Sequence, residues 1–133
     1  MKIEFHLITA AVIAAILISP IVAQAGSRSH PLSEDAALDL LHRTLKRDRV
    51  YDGVHRISLD CVFYMTEEMT DAYFEFVLRE KHDTKCGGAP ETSPVVDRYR
   101  VYRRSDKIER WKAIDDTWHR YNPAKISRGR TDH

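Results

Sequence analysis

Asparagine is almost absent from the 133 residues: Asn122 stands alone, and Pro123 follows it. There is therefore no Asn-x-Ser/Thr acceptor for N-glycosylation. Cysteine is limited to Cys61 and Cys86, and His82, Asp83 and Cys86, each competent for zinc, have no second pair to complete the four-ligand sites that hold structural zinc. No apolar run approaches the roughly 20 residues of a membrane-spanning helix. The longest, Leu7 to Ile18, has 12 residues, one of them threonine. Neither G-x-S-x-G nor H-E-x-x-H occurs, so the α/β-hydrolase nucleophile elbow and the zinc-protease helix motif are missing. Charge of one sign is missing too. Lys and Arg number 21, Asp and Glu 20, and the net charge is +1. A near-neutral chain is not steered as a whole towards nucleic acid or an anionic membrane.

What is present starts with an address. Lys2 precedes the 12-residue apolar run, Pro20 ends it, and Ala23-Gln24-Ala25 forms an A-x-A cleavage site before Gly26. This layout predicts a secretory signal over residues 1–25 and a soluble, exported product, periplasmic or secreted. Residue 26 is glycine rather than cysteine, so the lipoprotein route is closed. In an oxidising compartment the two cysteines are expected to pair. A Cys61–Cys86 bridge closing about 25 residues is worth about 3–4 kcal/mol in the chain-entropy model.

The remainder reads as one α+β domain over 26–123, with a flexible tail over 124–133. Ser33 can cap a helix that has Glu34 and Asp35 in its first turn. Leu38, Leu41 and Leu45 give that helix an apolar stripe, Arg43, Lys46 and Arg47 lie towards its end, and Asp52-Gly53 is the expected stop. The period then changes to two. His55, Ile57, Leu59, Cys61, Phe63 and Met65 are expected on the inner face of a first strand, with a turn at Thr66–Thr70. Ala72 to Lys81 is the second strand, with Phe74, Phe76 and Leu78 inward. A long loop, 82–94, follows. Val95 to Arg104, Lys107 to Ile114 and Thr117 to Tyr121 are expected as strands three to five.

A helix followed by four or five antiparallel strands predicts a sheet with the helix packed on one face. The order resembles cystatin-like and nuclear-transport-factor-like modules, which are shape classes without a diagnostic motif.

Two surfaces are candidates for binding. Arg98, Arg100, Tyr102 and Arg104 alternate onto one face of the third strand. From Val96 to Lys112 the basic residues exceed the acidic by four. Glu75, Glu80 and Asp60 could neutralise this face. The loop offers His82, Asp83, Glu91, Thr92 and Ser93, and a Cys86 tether would let it act as a pre-ordered wedge. With the turn at 66–70, Cys61 would pair near Phe74 or Glu75, so the loop would have to fold back over the hairpin, or the next element would have to lie beside the first strand, for Cys86 to reach it. Trp111 and Trp118, with Tyr99, Tyr102 and Tyr121, are expected in the core. Glu67 and Glu68 should point to opposite sides of a turn, and His55 and His119 are expected to be structural. No catalytic residue, metal ligand or cofactor is assigned. The function expected is a non-enzymatic binding module recognising a protein or envelope component, with no nucleic-acid partner. An inhibitor or immunity protein that inserts the 82–94 loop into a secreted hydrolase is the alternative, and a small enzyme with a cleft between helix and sheet comes third.

Overall fold

The structure is a computed structural model that describes residues 30–55 and 57–128. The signal segment expected over 1–25 lies outside the described residues. Helix α1 spans Glu34–Arg47, and the Ser33 hydroxyl accepts the Ala36 N–H at 3.2 Å. Its stop comes earlier than Asp52-Gly53. Asp48 caps the helix, and Arg49 turns the chain away with φ 51, a left-handed conformation more often filled by glycine. Asp52 and Gly53 lie instead in a π-helical turn, Val50–His55.

Five antiparallel strands follow, paired in chain order: β1 (Val62–Met69), β2 (Tyr73–Glu80), β3 (Val95–Tyr102), β4 (Ile108–Lys112) and β5 (Thr117–Arg120). The α+β architecture and single sheet thus agree with the pattern of the sequence. One face of the sheet carries α1. Ala37, Leu41 and Leu45 from the helix meet Phe74, Phe76 and Leu78 of β2, Tyr99 and Val101 of β3, and Ile108 of β4. Each fully buried side chain of this size contributes roughly 1.5–3 kcal/mol.

The first strand is shorter than its alternation implies, and its faces are exchanged. Residues before Val62 fold into turns because side chains compete for the backbone. Asp52 Oδ1 accepts the Leu59 N–H at 3.3 Å, and Ser58 Oγ accepts the Asp60 N–H that opens a 3₁₀ turn at Leu59–Cys61. In β1 the even positions Val62 and Tyr64 face the core. Phe63 and Met65 lie on the other side, with Met65 exposed. The hairpin turn is at Thr70–Ala72 rather than 66–70, so Val62 sits opposite Glu80. The Lys81 N–H then bonds to Cys61 O at 2.8 Å. Cys61 therefore starts beside the loop, and no fold-back is needed. The Cys61–Cys86 disulfide forms with Cα atoms 5.5 Å apart.

Arg104 also departs from the expected strand face. β3 ends at Tyr102, and Arg104 is exposed in the turn to β4. At the C-terminal end, Pro123–Arg128 forms a short helix, α2, where the composition predicted no element. Ile126 packs against the core. Among the described residues, no helix is long and apolar enough to cross a membrane.

Candidate functional site

The face of the sheet opposite α1 gathers the most chemistry. Alternation places Tyr73, Glu75, Val77 and Arg79 of β2 there. Their neighbours across the ladders are Arg98, Arg100 and Tyr102 of β3, then Glu109, Trp111 and Trp118. Trp111 and Trp118 are thus not core residues. They are half-buried on the helix-free face, their rings 5.2 Å apart. Tyr99 is the member of the expected aromatic group that is fully buried, while Tyr121 packs at the core margin.

Arg100 is the centre of this face. Its guanidinium carbon lies 4.3 Å from the Tyr73 ring centre and 4.1 Å from that of Trp118. Two cation–π contacts of about 0.5–2 kcal/mol each hold it in plane. Its Nε bonds to Glu75 Oε2 at 3.0 Å. Glu75 is buried, so this charge-assisted bond resists competition from water. Beside it, Lys107 Nζ sits 3.7 Å over the Tyr102 ring and 2.9 Å from Glu109, and the bond to Glu109 raises the Lys107 pKa.

The arginines of β3 are therefore neutralised, though by a different set of acids than the spacing suggested. Glu75 serves both Arg98 and Arg100. Glu67 pairs with Arg98 and Glu68 approaches Arg100 at 3.7 Å. Glu67 and Glu68 do not point apart as expected. The β1–β2 register slips between Thr66 and Glu68. Such a bulge sets two residues of one strand against one of the other, and both carboxylates reach the arginines. Glu80 instead bonds to His82, and Asp60 offers its carbonyl to Lys81. The face is a rigid mosaic of aromatic rings and closed ion pairs rather than a free positive patch.

The 82–94 loop is ordered by its own side chains. His82 Nε2 lies 2.9 Å from Glu80 Oε2, and its Nδ1 lies 2.8 Å from Thr92 Oγ1 and 3.0 Å from Ala89 O. The Glu80 bond, with the Ala89 carbonyl, raises the His82 pKa. Asp83 Oδ1 accepts the N–H groups of Lys85 and Cys86, which lowers the Asp83 pKa. Ser93 donates to Glu80 O at 2.9 Å, and Arg79 donates to Ser93 O at 2.7 Å. Gly88 lies against the His82 ring; a Cβ there would come within 2.5 Å of it. Four of the five loop candidates (His82, Asp83, Thr92 and Ser93) therefore have internal work. Glu91 is exposed, as are Asp83 and Thr92, but takes no part in these bonds.

A buried polar cluster was not anticipated. Asp97 Oδ2 accepts from Arg110 Nε at 2.7 Å and from the Tyr99 hydroxyl at 2.9 Å, with the Tyr51 hydroxyl at 3.4 Å. Burial, then the Asp97 charge, pushes the Tyr51 phenol well up. The Tyr99 phenol is raised too, first by burial and then by the adjoining Tyr51 and Asp97. The available signal was an acid at Asp97, in phase with inward-facing Tyr99 and Val101. His119 joins Asp115 and Thr117 in the β4–β5 turn. Thr117 Oγ1 lies 2.7 Å from both Asp115 Oδ1 and His119 Nε2, and His119 Nε2 lies 3.0 Å from Asp115 Oδ2; threonine and acid thus meet the same imidazole nitrogen, whereas in a nucleophile–base–acid relay the acid holds the other one. The backbone of His55 lies in the π-helical turn. Among the described residues, no three His, Cys, Asp or Glu side chains group closely enough to hold a metal.

Compared with family models, curated proteins and solved structures, the chain matches none.

Proposed function

We propose that this chain is an exported binding module, cystatin-like in shape, that recognises a protein partner through the helix-free face of its sheet. The observation that carries this reading is Arg100 held between Tyr73 and Trp118, with Trp111 against Trp118. Trp, Tyr and Arg are the residues that dominate protein-binding hot spots. Held in one geometry beforehand, they lose little entropy on binding. The closed pairs with Glu67, Glu68 and Glu75 favour a protein over an anionic lipid or nucleic acid, because little free positive charge is left to attract either. The signal segment supplies the address, periplasmic or secreted. The test is Trp111→Ala with Trp118→Ala, two residues outside the buried core. Partner capture should be lost while the fold, followed by circular dichroism, is kept. Capture at wild-type strength would refute the reading.

A second reading has its own support. The 82–94 loop is fixed by the disulfide and the His82 contacts, as an inserted inhibitor element requires. Glu91→Lys, together with replacement of Pro90, changes the part of this loop that faces outward without touching its internal bonds. If that variant loses its partner and the double Trp variant does not, the loop is the binding element.

A further inference from the structure

β1 is an outermost strand of the sheet, and its outer edge is open. The Lys81 N–H bonds to Cys61 O, while the Glu80 N–H turns the other way, to Pro94 O. Alternation along the ladder then sends the N–H and C=O of Phe63 and Met65 towards β2, and those of Val62, Tyr64 and Thr66 outward. The Val62 N–H is spent on Leu59 O. The Val62 C=O and both backbone groups of Tyr64 and Thr66 make no hydrogen bond among the described residues. Natural sheets usually blunt such an edge with lysine, proline or a bulge. Val62–Met69 holds neither lysine nor proline, and its bulge comes only after Thr66. Helix α1 is seated over β2 and β3 rather than over this edge.

We propose that β1 pairs antiparallel with β1 of a second copy of this chain, about a two-fold axis at Tyr64, so that two sheets become one. In this register the Tyr64 N–H meets the partner's Tyr64 C=O and the Thr66 N–H meets the partner's Val62 C=O, each bond occurring twice by symmetry. The Val62 N–H, already spent on Leu59, is the donor left out. The side chains match as well. On the helix-free side Phe63 faces the partner's Met65, and a thioether and an aromatic ring attract. Met65 is 49% exposed in the single chain, and this contact covers it. Charges are complementary too. Lys81, opposite Cys61, bonds to Asp60 O at 2.8 Å and so lies at the sheet margin. The register sets Glu67 opposite the partner's Cys61, so Glu67 approaches the partner's Lys81 and no carboxylate meets its own copy. Moving the axis to Met65 sets Phe63 against the partner's Glu67 instead. The proposal concerns contact between copies and does not depend on the Arg100 face.

The test uses the protein as its own cells hold it, purified without denaturant. Sedimentation equilibrium should show a reversible monomer–dimer equilibrium between micromolar and about millimolar chain. Hydrogen exchange over 62–66 should slow by at least about tenfold from the dilute to the concentrated end, while 117–120, the opposite edge, stays unchanged. Met65→Lys, at an exposed side chain, should weaken the dimer by at least about tenfold with the circular dichroism kept. Ile114→Lys, in the β4–β5 turn and 88% exposed, should leave the dimer at wild-type strength. If Met65→Lys unfolds the chain, the exchange measurement on the wild type decides. A chain that stays monomeric at about 1 mM overturns the proposal. So does a dimer that a folded Met65→Lys variant leaves intact, or one whose protection falls on 117–120 and not on 62–66.

Discussion

Asp97→Ala should be among the most damaging single changes in this domain. The carboxylate receives Arg110, Tyr99, the Arg98 N–H and, more distantly, Tyr51. Removing one partner of a buried ion pair costs about 3–5 kcal/mol. Two features place Asp97→Ala at the low end of that range. Arg110 is a quarter exposed and can turn towards water. The Tyr51 and Tyr99 hydroxyls, 3.3 Å apart, can still bond to each other. The expected loss is therefore about 3 kcal/mol, against a total stability of about 5–15 kcal/mol for a domain of this size. Asp97→Asn keeps the shape and an acceptor and should lose only about 1–2 kcal/mol. Equilibrium urea unfolding measures both, provided the slope with denaturant stays at its wild-type value. A double-mutant cycle with Arg110→Met isolates the pair, and a coupling of at least about 1 kcal/mol is expected. If Asp97→Ala costs less than about 1 kcal/mol, or costs the same with Arg110 already replaced, the cluster does not hold β3 to β4.

Cys61→Ala should lower stability by about 2–5 kcal/mol, and intact wild-type protein should show no alkylatable thiol by mass analysis. The raised His82 pKa makes the loop pH-sensitive. Its contribution is complete below the unfolded value near 6.5 and fades as pH rises through the folded value. Amide exchange over 83–92 should therefore speed up at alkaline pH more than its intrinsic rate explains, and His82→Ala should remove that excess. Asp115 is held down to about 2, first by the Thr117 hydroxyl. The β4–β5 turn should therefore keep its Asp115 contacts from neutral pH to below 3.8 and lose them as pH falls through about 2. An NMR titration of the Asp115 carboxyl would detect any earlier loss. Arg100→Glu should destabilise the fold as well as any complex, since it sets a second acid against buried Glu75; thermal unfolding that barely moves would contradict this.

The helix and the second strand were legible from the sequence, because Leu41, Leu45, Phe74, Phe76 and Leu78 repeat at the periods their backbones impose. Residues 55–61 were not, since alternating apolar positions look the same whether a strand or a chain of turns carries them. The choice fell to Asp52 and Ser58, whose side chains capture backbone amides. Alternation carried on from His55 puts the odd positions of β1 inward, whereas Val62 and Tyr64 are the ones that meet the core. Trp111 and Trp118 were misplaced for a related reason. On a short hairpin at the sheet edge, alternation says that two residues share a face but not which face meets the helix. The closed pairs of Arg98 and Arg100 depend on a bulge, and a one-residue slip in register leaves no mark in composition. The expected signal segment, and the address it would imply, rest on the pattern of residues 1–25 alone.

The claim that most needs a direct measurement is that the helix-free face meets a protein. A photoactivatable phenylalanine placed in turn at position 118, on that face beside Arg100, at 91 on the loop, and at 43 on the outer side of α1 reports contact in the native compartment. The account predicts one discrete protein adduct from position 118, none from 43, and competition of that adduct by untagged wild-type chain. An adduct from 91 alone would transfer the function to the tethered loop, and equal labelling from all three positions would contradict a defined binding face altogether.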